Sequence, residues 1–253
     1  MKKIILITFM FISNISISQN KTNIEVEYDM VLNFLGSSQY NSRLIFNNES
    51  SYFISIEDFI ESEKKSSKMQ ETDTSYYFNV KIHSKAHNIV LTDKKKDSLY
   101  ELKEGFSIKK YFIIGEKTPI IKWKLSNETK TIKDYECYKA FCEFRGRKYT
   151  AWYTLEIPTF FGPFKFHGLP GLILEIFDDT KEVFFIAKKI TNSHTTIPKL
   201  INIRKEAKFS TKEKYNKDVK KFFSDLEKKM SSKIGRGYKM KISVPVIKSI
   251  EIE

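Results

Sequence analysis

Cysteine is nearly absent from this chain: Cys137 and Cys142 are the only two in 253 residues. Two thiols exclude a disulfide framework and a four-thiolate zinc site, and their spacing excludes a C-x-x-C redox pair. Histidine is almost as scarce, with four. His83 and His87 in "HSKAH" have the spacing that puts two imidazoles on one helix face. Their flanks read as strand, where four residues span about 13 Å, too far to share a metal ion. G-x-S-x-G, H-E-x-x-H and a phosphate-cradling glycine loop are missing too. No metal, cofactor or catalytic residue is therefore expected, and a hydrolase assembled only in space is the one enzymatic reading left open.

Long apolar runs are also lacking, apart from the start of the chain. "MKKIILITFMFISNISIS" has two lysines, an apolar stretch from Ile4 to Ile12 and a small-residue tail. That is the layout of a secretory signal peptide, and the stretch is too short to span a bilayer. Cleavage near Ser18 is expected, leaving residues 19–253 as a single β-rich domain in the periplasm or outside the cell, with no transmembrane segment. No cysteine lies near that point to accept a lipid. The formal charge is +13, yet the lysines are interleaved with carboxylates, as in "TKEKYNKDVKKFF", so a solvated surface is expected and nucleic acid is not an expected partner.

Short runs rich in Ile, Val, Tyr and Phe dominate what is present: "NIEVEYDMVLNF", "SRLIFNNESSYFISI", "SYYFNVKIH", "HNIVLTD", "SIKKYFIIG", "IIKWKLSN" and "CYKAFCEFRGRKYTAWYT". They predict a mainly β protein with a large antiparallel sheet. The charged segment "IEDFIESEKKSSKMQETDTS" reads as an insertion between strands. On one continuous strand Cys137 and Cys142 face opposite sides about 16 Å apart, beyond disulfide reach without a bulge. One helix is expected late: Ser210 and Glu213 have capping-box spacing, and Tyr215, Val219, Phe222, Leu226 and Met230 form an apolar stripe fit to cover the sheet.

Glycine and proline total only 9 and 6, but they crowd into "PTFFGPFKFHGLPG", which holds Pro158, Gly162, Pro163, Gly168, Pro170 and Gly171. This predicts a stiff loop feeding a strand from Leu172 to Phe177, buried on both sides except for Glu175. A buried Glu175 needs a partner, and an arginine from the neighbouring strand is the natural one. Strand parity through "EFRGRKYTAWYT" puts Arg145, Arg147, Tyr149 and Tyr153 on one face and Phe144 and Trp152 on the other. Two arginines among two tyrosines suit either an anionic or planar ligand or mutual stacking with nearby carboxylates.

"GLPGLILEI", with "GRKYTAWYTLEIP", "GPFKFHGLPG" and "IKWKLSNETKTIKDYECYKAF" before it, resembles the GLPGLI family, exported proteins first noted in Porphyromonas and common in Bacteroidetes. The hexapeptide is Gly168, Leu169, Pro170, Gly171, Leu172 and Ile173. The resemblance implies export and kinship but no activity, because the family has none established. The order of strand, proline-rich loop, strand and hairpin also looks like the curved half-barrel of periplasmic lipoprotein carriers. The combined expectation is a curved sheet or half-barrel with a C-terminal amphipathic helix, binding an apolar or lipid-like ligand without catalysis. Its candidate ligand contacts are Arg145, Arg147, Tyr149, Trp152, Tyr153 and His167. Docking to an envelope protein is the alternative.

Overall fold

The structure, a computed structural model, describes residues 23–34, 37–57, 69–72, 75–78, 89–104, 110–203, 205–232, 239–241 and 250–251. The expected signal segment, His83, His87 and most of the charged insertion lie outside the described residues. The strands are β1 (Asn23–Leu32), β2 (Ser38–Phe46), β3 (Ser50–Glu57), β4 (Met69–Thr72), β5 (Ser75–Phe78), β6 (Ile89–Asp93), β7 (Ser98–Glu104) and β8 (Tyr111–Lys117). They continue as β9 (Lys124–Ile132), β10 (Tyr135–Phe144), β11 (Arg147–Thr154), β12 (Leu172–Asp178) and β13 (Val183–Ser193). A single turn of helix, α1 (Leu200–Ile203), then precedes β14 (Lys208–Ser210), the long helix α2 (Lys212–Ser231) and β15 (Lys239–Lys241).

Twelve of these strands form one curved, open sheet in the order β14-β8-β7-β6-β3-β2-β1-β13-β12-β11-β10-β9. Every neighbour pair is antiparallel except β14, which lies parallel to β8. β15, β5 and β4 form a small separate sheet. Alternation explains the inward faces: Val26, Tyr28 and Met30 on β1 are fully buried, while the residues between them are half-exposed. β7 carries the same logic inside a sequence that looks merely charged, with Leu99 fully buried.

Curvature can be read from side chains that touch across strands. Phe53 on β3 and Phe185 on β13 have ring centroids 6.1 Å apart, although β2 and β1 lie between them. More telling, Arg145 at the β10–β11 turn pairs with Glu116 on β8. Those elements are eight strand spacings apart, about 38 Å on a flat sheet. The sheet therefore curls into a bowl whose two ends meet through side chains.

Three sequence expectations need correction. The stretch through Phe144 and Arg147 is a hairpin, not one strand: Arg145 (φ 51°) and Gly146 (φ 78°) form a two-residue turn with both φ positive. Phe144 is paired with Arg147, and cross-strand partners share a face, so Phe144 lies on the side of Arg147 and Tyr149 rather than opposite them. The cap of α2 is Thr211, whose side chain accepts from Lys214 N, and not Ser210. Of the stripe expected on α2, Tyr215 meets Phe112 edge-on, but the buried residue is Phe223 while Phe222 is exposed. The helix lies along β8 and β15. No described helix is long and apolar enough to cross a membrane.

The proline-rich segment enters the bowl and turns back to start β12. Its glycines serve different needs. At Gly171 a Cβ would sit 1.9 Å from Thr154 O, a backbone atom unable to give way. A Cβ on Gly168 would make only ordinary contact with the Trp123 ring, 3.7 Å from Nε1, but φ there is +91°. Gly171→Ala is therefore expected to cost at least about 4 kcal/mol or to prevent folding, and Gly168→Ala about 1–2 kcal/mol. Urea unfolding of both variants checks this; equal costs would refute the close-approach account.

Candidate functional site

The segment from Pro158 to Gly171 has two sides. Inward, Phe161, Phe164, Phe166 and Leu169 are each 5% exposed or less. Phe166 meets Tyr149 at 4.7 Å, Phe144 at 5.7 Å and Phe185 at 6.2 Å. Phe164 meets Phe53 at 6.1 Å, and Phe161 meets Phe46 at 6.5 Å. The loop's own aromatic side chains thus fill the concavity. Phe164 adopts φ of 53° to do so, an arrangement a bulky residue keeps only when its surroundings fix it.

Between these rings Lys165 projects a cation into the interior, its side chain 3% exposed. It meets Glu101 on β7 and Glu251 at 2.7 Å each, and Glu116 on β8 at 3.6 Å. Lys103 pairs with Glu101, and Arg145 pairs with Glu116 and approaches Glu251 at 3.6 Å. Three cations thus face three carboxylates. Burial alone would push the Glu101 carboxyl up, but Lys103 and Lys165 outweigh it and hold the group below its usual value. Burial alone would lower Lys165, and Glu101 and Glu251 outweigh it to raise the ammonium instead. This network joins the loop to both ends of the sheet.

His167 is 4% exposed and holds the loop to the β8–β9 connection. Its Nδ1 lies 2.7 Å from Lys165 O and its Nε2 2.6 Å from Pro119 O. Trp123 Nε1 donates to His167 O at 2.8 Å. Burial pushes the imidazole toward the neutral form and prevails over the two carbonyl oxygens, which pull the other way.

The loop's outer side walls an open cleft of about 470 Å³, closed by Asn47 and Asn48 of the β2–β3 turn and by Lys94. Half-buried Phe160 and exposed Pro170 supply its accessible apolar wall, and the buried Phe161 and Leu169 close it from behind. Lys94 Nζ stands 5.2 Å from the centre of the Phe160 ring, and behind that ring lies His167, at 5.2 Å. Asn47 is committed to its own turn, accepting from Glu49 N and Ser50 N, whereas Asn48 is exposed.

The six candidate ligand contacts are dispersed rather than gathered in one pocket. Arg145 belongs to the ion network. Arg147, 6% exposed, bonds Asp178 at 2.7 Å and Glu182 at 2.9 Å beside the Phe34 ring. Tyr149 donates to Ile250 O at 3.0 Å, and burial pushes its phenol up. Tyr153 stacks obliquely on Tyr138. Trp152 lies on the other face, under Lys130 and Lys139 at 4.4 and 5.5 Å. None of the six lines the cleft; His167 comes near it only through its contact with the Phe160 ring. Glu175 does have a cation, but it is Lys130 of β9, which donates to both carboxylate oxygens at 2.9–3.0 Å. The strand residue opposite Glu175 is Trp152, so no neighbouring arginine is in register. Cys137 and Cys142 are free and buried; burial pushes their thiols up to about 11 and about 12.

Sequence reasoning did not single out Lys165, Glu101, Glu116 and Glu251, or Asn48, Lys94 and Phe160. The first set is brought together from distant segments with no local signal. For the cleft, the only available hint was that it borders the glycine- and proline-rich loop.

A family model described as a protein of unknown function, Porph_ging, matches residues 145–175. That segment runs from the β10–β11 turn through the loop to Glu175, and it includes the hexapeptide. No curated protein matches the chain. The solved structure of PNGF-II is similar in two crystal forms, with a TM-score of 0.55 and 14% identity, over 80% of this chain and 33–34% of PNGF-II. The chain thus spans about a third of the length of PNGF-II, and the likeness is one of fold. An uncharacterized conserved protein from Thermus thermophilus aligns with a TM-score of 0.41 and 9% identity, over 77% of this chain and 93% of its own. A LolA superfamily protein from Nitrosomonas europaea aligns at 0.29 and 10%, over 74% and 92%.

Two outcomes follow from the burial. Lys165→Met leaves Glu101 and Glu251 short of a counter-charge and is expected to cost about 3–5 kcal/mol at neutral pH. In the native protein the Glu101 contribution is present above its unfolded value of 4.5 and is lost as pH falls through its lower folded value. In the variant Glu101 has lost Lys165 and takes up a proton more readily, so the deficit should narrow as pH falls through the carboxylate range. Urea melts across that range check the sign, and a constant deficit would refute it. Both thiols should resist an aromatic disulfide reagent in the native state and react together on unfolding.

Proposed function

We propose that this is a non-enzymatic exported binding protein of the cell envelope, with its ligand site in the cleft on the outer side of the proline-rich loop. The observation carrying this reading is the loop's two-sidedness: its inner side chains occupy the bowl, and its outer side leaves open a cleft of about 470 Å³. That volume falls in the range of small-molecule sites. Phe160 and Pro170 suit the apolar part of a lipid-like amphiphile, and Lys94 and Asn48 suit an anionic or polar head.

An apolar guest deep in the bowl would have to expel the loop. Re-exposing Phe161, Phe164, Phe166 and Leu169 would cost roughly 6–12 kcal/mol at about 1.5–3 kcal/mol each, as much as a whole domain's stability. This favours occupation of the cleft over occupation of the interior.

Native mass spectrometry of the exported protein, purified without detergent and followed by organic extraction, tests the reading. A bound amphiphile at fixed stoichiometry is expected, with occupancy falling at least about tenfold in Phe160→Ser and Lys94→Ala and unchanged in Trp152→Ala. A bare mass, together with no response of Phe160 to added fatty acid by NMR, would refute it.

A further inference from the structure

The rim that carries the cleft has a second feature that the ligand reading does not use. From Lys117 to Asn127 the connection from β8 into β9 reads "KTPIIKWKLSN", with three lysines and no carboxylate. Lys117, Lys122 and Lys124 are all exposed. On the same segment Ile120 is 89% and Leu125 61% exposed, two of the most exposed large apolar side chains among the described residues.

This connection is continuous with the β6–β7 turn, which presents Lys94, Lys95 and Lys96, all exposed. The two are joined by Thr118 N donating to Asp97 O at 3.1 Å. His167 ties the connection to the cleft through Pro119 O, and Phe160 ties His167 to Lys94. Six lysines therefore share one stretch of rim. The carboxylates among them are Asp93, 3.5 Å from Lys96; Asp97, 3.5 Å from Lys117; and Glu49, whose carbonyl accepts from Lys94 N. The local balance is thus positive.

We infer that this rim docks the protein on an anionic lipid surface, with Ile120 inserted among the headgroups and the surrounding lysines on lipid phosphates. A protruding isoleucine flanked along the chain by exposed lysines fits an interface that is charged outside and apolar a few ångströms deeper. A soluble polyanion would make use of the lysines and leave Ile120 in water. The β9 edge is a weaker docking element, because its register with β10 breaks between Tyr138 and Ala140 and such a bulge blunts strand addition. The inference shares Lys94 with the cleft but does not depend on what occupies it.

Flotation of the exported protein with phosphatidylcholine vesicles, with and without phosphatidylglycerol, tests it. Binding is expected only with phosphatidylglycerol and should weaken with salt. Each rim lysine should contribute about fivefold, so combined Lys95→Glu, Lys122→Glu and Lys124→Glu, all outside the cleft lining, should lower partitioning by on the order of a hundredfold. Ile120→Ser should lower it severalfold while keeping the salt dependence. Combined Lys217→Glu, Lys221→Glu and Lys228→Glu on α2 should change it little, and Phe160→Ser should leave it intact even while emptying the cleft. The inference is overturned if phosphatidylglycerol vesicles retain no protein, or if rim and helix variants lose binding equally. Binding to a soluble acidic polysaccharide as tight as to vesicles, with Ile120→Ser without effect, would overturn it in favour of a soluble polyanion.

Discussion

The buried ammonium of Lys165 is the interaction on which the rest of this architecture depends. An open sheet has two edges, and here the curl brings elements near those edges together without a backbone ladder to join them. Side chains do the joining: Lys165 reaches from the loop to Glu101 and Glu116 on β7 and β8 and to Glu251, while Arg145 reaches from the β10–β11 turn to Glu116. Removing charges from water is costly, and the cost is met only when geometry is close and counter-charges balance. That requirement makes the cluster selective. A loop shifted by one residue would bury an unpaired charge, so the network fixes the register of a segment that has almost no secondary structure of its own.

The aromatic side chains do complementary work. Phe161, Phe164 and Phe166 supply the non-directional part of the stability, and rings of that kind tolerate several arrangements at similar energy. Lys165 and His167, interleaved with them, are bound by direction and distance. The alternation in "FFGPFKFH" is therefore a division of labour within a few residues, with rings giving magnitude and the two basic side chains giving position.

Much of the scaffold was legible in sequence. β1, β3 and β12 follow from alternation or from an unbroken apolar run flanked by turns, and the clustering of Gly168, Pro170 and Gly171 announced a fixed backbone path. The hairpin at Arg145–Gly146 was hidden because arginine is an unusual occupant of a left-handed turn position, where asparagine or aspartate would have signalled it. Glu175 illustrates a deeper limit. Its need for a cation could be read locally, but the identity of that cation rested on the curl of the sheet, which brings Lys130 of β9 over Trp152. Lys165 was opaque for the same reason: its partners lie far away in sequence, and a lysine among phenylalanines looks like a solvent-facing position on a strand.

These constraints bear on how such a bowl can be used. Cavities in curved sheets serve as binding sites when their interior is left empty, and here the chain has spent its most apolar loop on filling that interior. What remains for recognition is the outside of the same loop and the rim around it. There the Phe160 ring and the backbone of the β8–β9 connection are held by contacts running inward through His167 to the Lys165 segment. Rigidity of the backbone at a surface site lowers the entropy lost on binding, so a filled, ion-stapled bowl supports a recognition surface on which only the exposed side chains remain to be ordered when a ligand arrives.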